Sequence, residues 1–348
     1  MSRRSFIRPA IRQMAGYVPG EQPQGGGFIK LNTNENPYPP SAAVRAAIAA
    51  CAGEDVRLYP DPMANALRDA AARRYDLTRD HILAGNGSDD LLAMVMRACV
   101  DVGDRVVYPT PTYSLYDTLV AIAGGRAVHL DWPPDWSLPP HLADADGRVT
   151  ILCNPNAPSG TCVPVAAIDA LAPRLAGLLV VDEAYVDFGG DTALPLVRRH
   201  DNVLVLRTLS KAFSLAGMRI GLGFGPPPLI GELAKVKDSY NLSSVSIAAG
   251  AAALADVDDM RAYVARVAAT RARLVAGLRA LGYAVPDSQA NFVLARRAGV
   301  DQRPLYEALK ARRILVRYFA SDGLRDALRI TVGTEAEIDA LLAALAES

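Results

Sequence analysis

The chain has 348 residues, with 37 basic and 37 acidic side chains and a formal net charge of +0. That balance excludes a nucleic-acid footprint or a polybasic membrane patch as the organising feature. A hydrophobic content of 51% supports a substantial core, in one large domain with a satellite or in two domains.

The N-terminus carries a twin arginine, Arg3-Arg4, with no apolar run long enough for a signal or a membrane span, so it reads as an ordinary arm. Residues 1 to about 30 are rich in Gly, Pro and Gln, and Gly25-Gly26-Gly27 is a flexible break. Ser41, just after Pro39-Pro40, caps an Ala-rich helix through Ala50. A second helix is expected from about Ala64 to Tyr75. From about residue 82 short apolar strands alternate with helices. Ile82-Leu83-Ala84 leads through a Gly-rich turn to a helix from Ser88 to Val100. Arg105 to Tyr108 leads through Pro109-Thr110-Pro111-Thr112 to a helix near Leu115 to Gly124. Further strands are expected at Thr150 to Cys153, 178–182 and 203–207.

Short apolar runs with helices between them predict an α/β fold with a mostly parallel sheet covered on both faces. A long periodic helix, about Met260 to Leu281, sets Tyr263, Val267, Leu274 and Leu278 on one stripe and bridges to a smaller C-terminal α+β domain. That domain has strands near Asn291 to Leu294, Ile314 to Arg317 and Leu328 to Thr331, and a last helix from about Glu335 to Leu345. The expected division is an arm over 1–40, a large domain over 41–265 and a small domain over 266–348. The cysteines Cys51, Cys99, Cys153 and Cys162 form no CxxC pair and read as core or loop residues of a reducing compartment. His81, His129, His141 and His200 are equally scattered, so no metal site is expected.

The chemistry concentrates at strand ends. The strand Val203 to Leu206 delivers Thr208-Leu209-Ser210-Lys211, and Arg219 follows eight residues later. The strand Leu178 to Val181 ends in Asp182-Glu183-Ala184-Tyr185. A lysine and an acid so placed suit pyridoxal phosphate (PLP): the amine holds the aldehyde as a Schiff base, and the acid keeps the ring nitrogen protonated. Lys211 alone would read as a surface lysine after a strand. Gly85-Asn86-Gly87-Ser88-Asp89-Asp90 opens a helix, where backbone amides bind a phosphate while the carboxylates point away, or where the turn is only a cap. It is neither a Walker loop nor the dinucleotide glycine fingerprint. Tyr113 could stack on a ring or simply pack. Asn154 to Gly160 is a turn at a strand end, where open α/β sheets place ligands. Arg329, in Leu328-Arg329-Ile330-Thr331, needs a partner inside an apolar strand: a substrate carboxylate or a structural ion pair. Arg317 makes the same case more weakly.

These motifs resemble the fold-type I PLP-dependent aminotransferases, most closely the histidinol-phosphate aminotransferases, nearly end to end. Gly16-Tyr17-Val18-Pro19-Gly20 and Lys30 to Tyr38 look like that family's N-terminal signature. Tyr59-Pro60-Asp61, the Gly-Ser-Asp turn, Pro-Thr-Tyr, Asp-Glu-Ala-Tyr, the lysine motif and Leu-Arg-Ile-Thr-Val-Gly follow in its order. The resemblance implies Lys211 as the Schiff-base lysine and proton shuttle, Asp182 at the ring nitrogen, Tyr185 at the ring hydroxyl and Tyr113 stacked on the ring. It implies Ser88, Asp89, Thr208, Ser210 and Arg219 around the phosphate. Tyr59 would reach the phosphate of the other subunit, hence a cytoplasmic homodimer with shared sites. Arg329 would take the substrate carboxylate, and Tyr17, Asn34 and Arg317 would line the side-chain pocket. One position departs from the pattern: Ala157 stands where the family has Asn, leaving the adjacent Asn156 as a substitute only after a local shift. The implied reaction is amino transfer between L-glutamate and histidinol phosphate, or their keto counterparts, in histidine biosynthesis. An aromatic aminotransferase and a decarboxylase of a phosphorylated amino acid are the alternatives.

Overall fold

The computed structural model describes residues 6–321 and 323–347, so the twin arginine lies outside the described residues. The strands are β1 (Ile29–Lys30), β2 (Ile82–Gly85), β3 (Arg105–Thr110), β4 (Arg126–Asp131), β5 (Val149–Cys153), β6 (Leu178–Asp182), β7 (Val203–Thr208), β8 (Gly221–Phe224), β9 (Phe292–Arg296), β10 (Ile314–Leu315), β11 (Arg317–Tyr318) and β12 (Ala327–Thr331). The α-helices are α1 (Pro9–Gln13), α2 (Ala42–Ala50), α3 (Asn65–Tyr75), α4 (Ser88–Cys99), α5 (Leu115–Ala123), α6 (Val165–Leu171), α7 (Pro227–Ala234), α8 (Ser244–Ala255), α9 (Asp258–Ala280), α10 (Arg303–Ala311) and α11 (Glu335–Ala346). Among the described residues no helix is long and apolar enough to cross a membrane.

The unbroken apolar runs β5, β6 and β7 are buried along their whole length and form the middle of a seven-stranded sheet, ordered β2-β8-β7-β6-β5-β3-β4. Strands buried on both faces read as continuous hydrophobic runs, which is why these three are plain in the sequence. The neighbours β7, β6, β5, β3 and β4 pair in parallel, so their carboxyl ends share one edge. β8 runs antiparallel to both its neighbours, and Gly221 at its start pairs with Gly85 and with Thr208. The reversal brings the segment just before β8, including Arg219, to that same edge.

The structure extends the expected strand at 105–108 through Pro109 to Thr110. Proline is tolerated there because β3 pairs with β5 only at Val106 and Val107 and with β4 alone beyond them. The expected strand 314–317 divides in two. β10 pairs in parallel with β1 of the arm, and β11 pairs antiparallel with β12, which continues to β9. The long helix α9 buries Val267, Leu274 and Leu278 as expected and packs against α11. A capping box of Thr334 and Glu337 starts α11.

Side chains alternate across a strand, so Arg207 points away from the face that Thr208 presents. Arg207 is stacked 5.0 Å over the Tyr75 ring and pairs with Glu183 at 3.0 Å, their side chains only 8% and 0% exposed. Thr192 and the backbone of Ala193 also donate to Glu183. Removing one member strands the other's charge in the interior. Arg207→Met is therefore expected to cost about 3–5 kcal/mol of unfolding free energy, read by chemical denaturation. A loss below 1 kcal/mol would show that the pair is dispensable.

Candidate active site

One cavity opens on the shared sheet edge, with Lys211, Asp182, Thr208, Ser88, Tyr113 and Arg329 in its wall. Lys211 follows the end of β7 by three residues. Its Nζ donates to the Thr33 carbonyl at 3.3 Å and lies 5.7 Å from the Tyr185 ring centre. Burial first, then the Arg329 charge, pull its pKa down from 10.5 to about 8. An amine so tuned is both a nucleophile and a base near neutral pH.

Asp182, 3% exposed, ends β6. Its Oδ2 accepts from the Tyr116 hydroxyl at 2.7 Å and its Oδ1 from the Ala184 amide at 3.2 Å. Burial pushes its pKa up to about 6, against the lowering effect of those two donors. Tyr116 was not legible as a site residue; it lies in the first turn of α5, three positions after Tyr113, whose carbonyl accepts from the Tyr116 amide in the turn that leads into the helix.

At the other end of the cavity lies a cradle for an anion. Thr208 donates to Ser210 Oγ at 2.9 Å, and the Ser210 amide donates back to Thr208 Oγ1 at 3.1 Å. Arg219 Nη1 donates to Ser210 Oγ at 3.3 Å. Gly87, at φ +86°, precedes the amides of Ser88 and Asp89 that open α4, and a Cβ there would lie 2.6 Å from Arg219 Nη2. A Cβ on Gly221 would overlap the backbone of Gly87 itself. Hydroxyls, helix-start amides and a guanidinium converge as a dianion requires. Asp90 turns outward, accepting from the Asn86 amide at 2.9 Å and from Asn241 at 3.0 Å. Asp89 departs from expectation: its carboxylate stays at the cavity, 3.4 Å from Arg219 and accepting from the Tyr113 hydroxyl at 3.3 Å.

Tyr113 meets Tyr17 of the arm edge-on at 5.8 Å. Tyr185 accepts from Asn34 Nδ2 at 3.0 Å, and burial raises its pKa to about 12, so it stays a neutral phenol. Asn34 itself sits at φ +58°, held by Thr331 and Asn291. Asn156 is not brought to the cavity. Its Oδ1 accepts from Thr112 and its Nδ2 donates to the Pro111 carbonyl and to Ser159, so its amide is consumed within the loop, and Ala157 takes the wall position. Tyr59 also lies apart, 80% exposed and stacked on Tyr240 at 4.4 Å.

Arg317 and Arg329 face each other across the β11–β12 pair. Two cations side by side on a sheet repel. Arg317 spends its guanidinium on the arm, donating to the carbonyls of Val18 at 3.0 Å and Pro19 at 3.1 Å. Arg329 donates to the Asn32 carbonyl at 3.1 Å, while its buried Nε has no partner. No carboxylate lies within ion-pair distance of it among the described residues, and Phe292 and Phe319 flank it at 5.3 and 5.6 Å. Burial is the first cause that lowers its pKa. A half-buried guanidinium with a buried, unpartnered Nε is a receptor for a planar carboxylate.

The raised Asp182 pKa has a consequence for stability. Between the unfolded value of 3.8 and the native value near 6, the native chain holds the extra proton, so stability falls as pH rises through that window. The penalty is absent below pH 4 and complete above pH 6. In the ligand-free protein, Asp182→Asn is expected to gain on the order of 1–3 kcal/mol at pH 7.5 and little at pH 4. Paired denaturation curves at the two pH values check this; an equal effect at both would contradict it.

Residues 27–345 match the model of the family described as aminotransferase class I and II. Histidinol-phosphate aminotransferase 1 of Trichormus variabilis is 46% identical over 343 residues, 98% of each chain. Histidinol-phosphate aminotransferase of Geotalea uraniireducens is 46% identical over 342 residues, 98% of this chain and 99% of that one. The crystal structure of histidinol-phosphate aminotransferase from Sinorhizobium meliloti, solved in complex with pyridoxal-5'-phosphate, has a TM-score of 0.90 at 30% identity, covering 99% of this chain and 98% of that one. With the strand order, the lysine at the sheet edge and the similarity all spanning the chain, it belongs to the class I and II aminotransferases and has the fold-type I architecture.

Proposed function

We propose that this chain is a PLP-dependent aminotransferase that moves an amino group between L-glutamate or 2-oxoglutarate and histidinol phosphate or imidazole-acetol phosphate, a step of histidine biosynthesis. The observation that carries the reading is Lys211 and Asp182 in the wall of one cavity, between an anion cradle and a half-buried arginine that has no carboxylate partner among the described residues. The names of the relatives supply the substrate pair.

The residues fit PLP. Ser88, Asp89, Thr208, Ser210 and Arg219 would hold its phosphate, with Gly87 and Gly221 leaving the space a Cβ would fill. When bound, PLP supplies an aldehyde that takes up the amine and a ring that accepts electrons from the α-carbon. Tyr113 would pack beside the ring, and Tyr185, which accepts from Asn34, would meet the ring oxygen. Asp182 would hold the proton of the ring nitrogen. Arg329 orients the substrate α-carboxylate. Lys211 Nζ removes the proton from the α-carbon, its lowered pKa leaving part of it as the free amine near neutral pH. Tyr17 and Arg317 close the side-chain end of the pocket and exclude water. Asn156 stays a loop residue, which leaves Tyr185 as the partner of the ring oxygen.

Tyr59, with Tyr240 beneath it and Val56 and Leu58 exposed nearby, serves a second subunit, so the working form is a cytoplasmic homodimer with shared sites.

Mixing the PLP enzyme separately with L-glutamate, L-histidinol phosphate, phenylalanine and tyrosine, and following the cofactor absorbance through one half-reaction, tests the proposal. Histidinol phosphate is expected to react far more efficiently than either aromatic amino acid. A preference for phenylalanine or tyrosine would make the enzyme an aromatic aminotransferase, and carbon dioxide release without keto acid would make it a decarboxylase. Arg329→Ala should weaken glutamate roughly 30-fold or more, with a much smaller loss for a carboxylate-free amine; equal losses would remove its assigned role. Lys211→Ala should lose turnover by several orders of magnitude while retaining the wild-type fold by circular dichroism.

A further inference from the structure

The Asp182 carboxylate is buried, and a buried charge keeps its ionised form only where donors replace water. Two donors reach it. The Ala184 amide comes with the turn after β6, whereas the Tyr116 hydroxyl comes from α5, 66 residues away, at 2.7 Å on Oδ2.

Tyr116 is built to do this and little else. Its side chain is 0% exposed and it is absent from the cavity wall. Its ring stands edge-on between Tyr108 and Tyr113, with ring centres 5.6 Å away on each side and interplanar angles of 68° and 82°. A ring wedged in this way cannot swing its hydroxyl off Asp182 without displacing both neighbours. Burial and the Asp182 charge hold the Tyr116 pKa well above its ordinary value, so the phenol remains a donor at every working pH. The other groups facing Asp182 are the Cys153 thiol on β5, Asp89 at the start of α4, Lys211 after β7 and Tyr185. Lys211 opposes the charge of Asp89 without forming an ion pair with Asp182, and the Cys153 thiol donates to the Pro155 carbonyl at 3.3 Å, so neither takes over the role of the phenol.

We propose that Tyr116 is a positioning residue for amino transfer: it fixes Asp182 Oδ2, turns the other oxygen's free lone pair to the cavity, and sets how firmly Asp182 holds the proton it shares with the ring nitrogen. The proposal rests on the reading of Asp182 as the ring-nitrogen partner. A merely structural Tyr116 would pack just as well without its oxygen.

The test separates the two readings. In the ligand-free protein, the Asp182 titration is read from 13C-labelled aspartate by NMR, assigned by its absence in Asp182→Asn. Tyr116→Phe keeps the ring and removes the donor, and should move the midpoint upward by roughly one to two pH units. Tyr108→Phe removes a hydroxyl from the same aromatic cluster, one that donates to Asp117, and should leave the midpoint in place. In the PLP enzyme, Tyr116→Phe should slow the glutamate half-reaction about tenfold with little change in KM, and shift its pH profile in the same direction as the NMR midpoint. If Tyr116→Phe does not fold, a 3,5-difluorotyrosine at position 116, a stronger donor of nearly the same shape, should move the midpoint downward. An unmoved midpoint in either variant, or an equal shift in Tyr108→Phe, overturns the proposal. A shifted midpoint together with an Asp182→Asn enzyme of unchanged half-reaction rate would preserve the link to Tyr116 and overturn instead the role given to Asp182.

Discussion

Asp182 closes the central strand of the sheet with its carboxylate out of water, held by a phenol and a backbone amide, with Lys211 across the cavity. That burial depends on the parallel register. Asp182 pairs in line with Cys153 on one side and Leu206 on the other, so the acid, the thiol and the approach to Lys211 arrive at one edge together. A slip of one residue in β6 would turn Asp182 to the opposite face. The same low-polarity surroundings that raise the acid's pKa lower that of the lysine, and the two groups are thereby moved toward each other in proton affinity, which suits proton traffic near neutral pH.

Beneath that edge the sheet divides its polar burden between faces. Thr208 and Ser210 turn to the cavity, whereas Arg207, immediately before Thr208 in the strand, pairs with Glu183 on the far side. Two strongly polar systems lie within a few residues of each other and stay separate because successive side chains of β7 project to opposite faces. The cradle, in contrast, is assembled from three segments: the β2–α4 turn, the end of β7, and the residues before β8. Only the antiparallel course of β8 lets the last of these start at the cavity.

Much of this was legible in the sequence because continuous apolar runs announce buried parallel strands and a polar device follows each of them. Lys211 and Asp182 stood out that way, whereas the phosphate role of Thr208 and Arg219 came from the family resemblance. Other elements carry weaker signals. β8 is Gly-Leu-Gly-Phe, whose glycines read as a loop, and α8 is apolar nearly all round because it packs among α2 and α3, which erases the helical stripe. Asn156 shows the limit of positional reasoning: a one-residue offset put its amide into the loop, and only three-dimensional hydrogen bonds decide which neighbour faces the cavity. Tyr116 was missed because a tyrosine inside an amphipathic helix looks like packing until its partner across the fold is known. Arg329 was legible as a residue in need of a partner, but that its Nε would be left without one is a property of the folded pocket.

The grip of Arg317 on the arm is made to the main-chain carbonyls of Val18 and Pro19, while the side chain of Val18 is 71% exposed. Every residue type carries the same carbonyl. At Val18 the arm is thus held by the path of its backbone, whereas Tyr17 beside it is held by its ring against Tyr113. The side chain of Val18 can change so long as the local course of the chain is kept, whereas Arg317 cannot be exchanged for lysine without giving up the planar fork that reaches two adjacent oxygens. Tolerance to substitution is then confined to outward side chains such as Val18, while Tyr17, Gly20 and the guanidinium of Arg317 each hold the arm by a contact of their own.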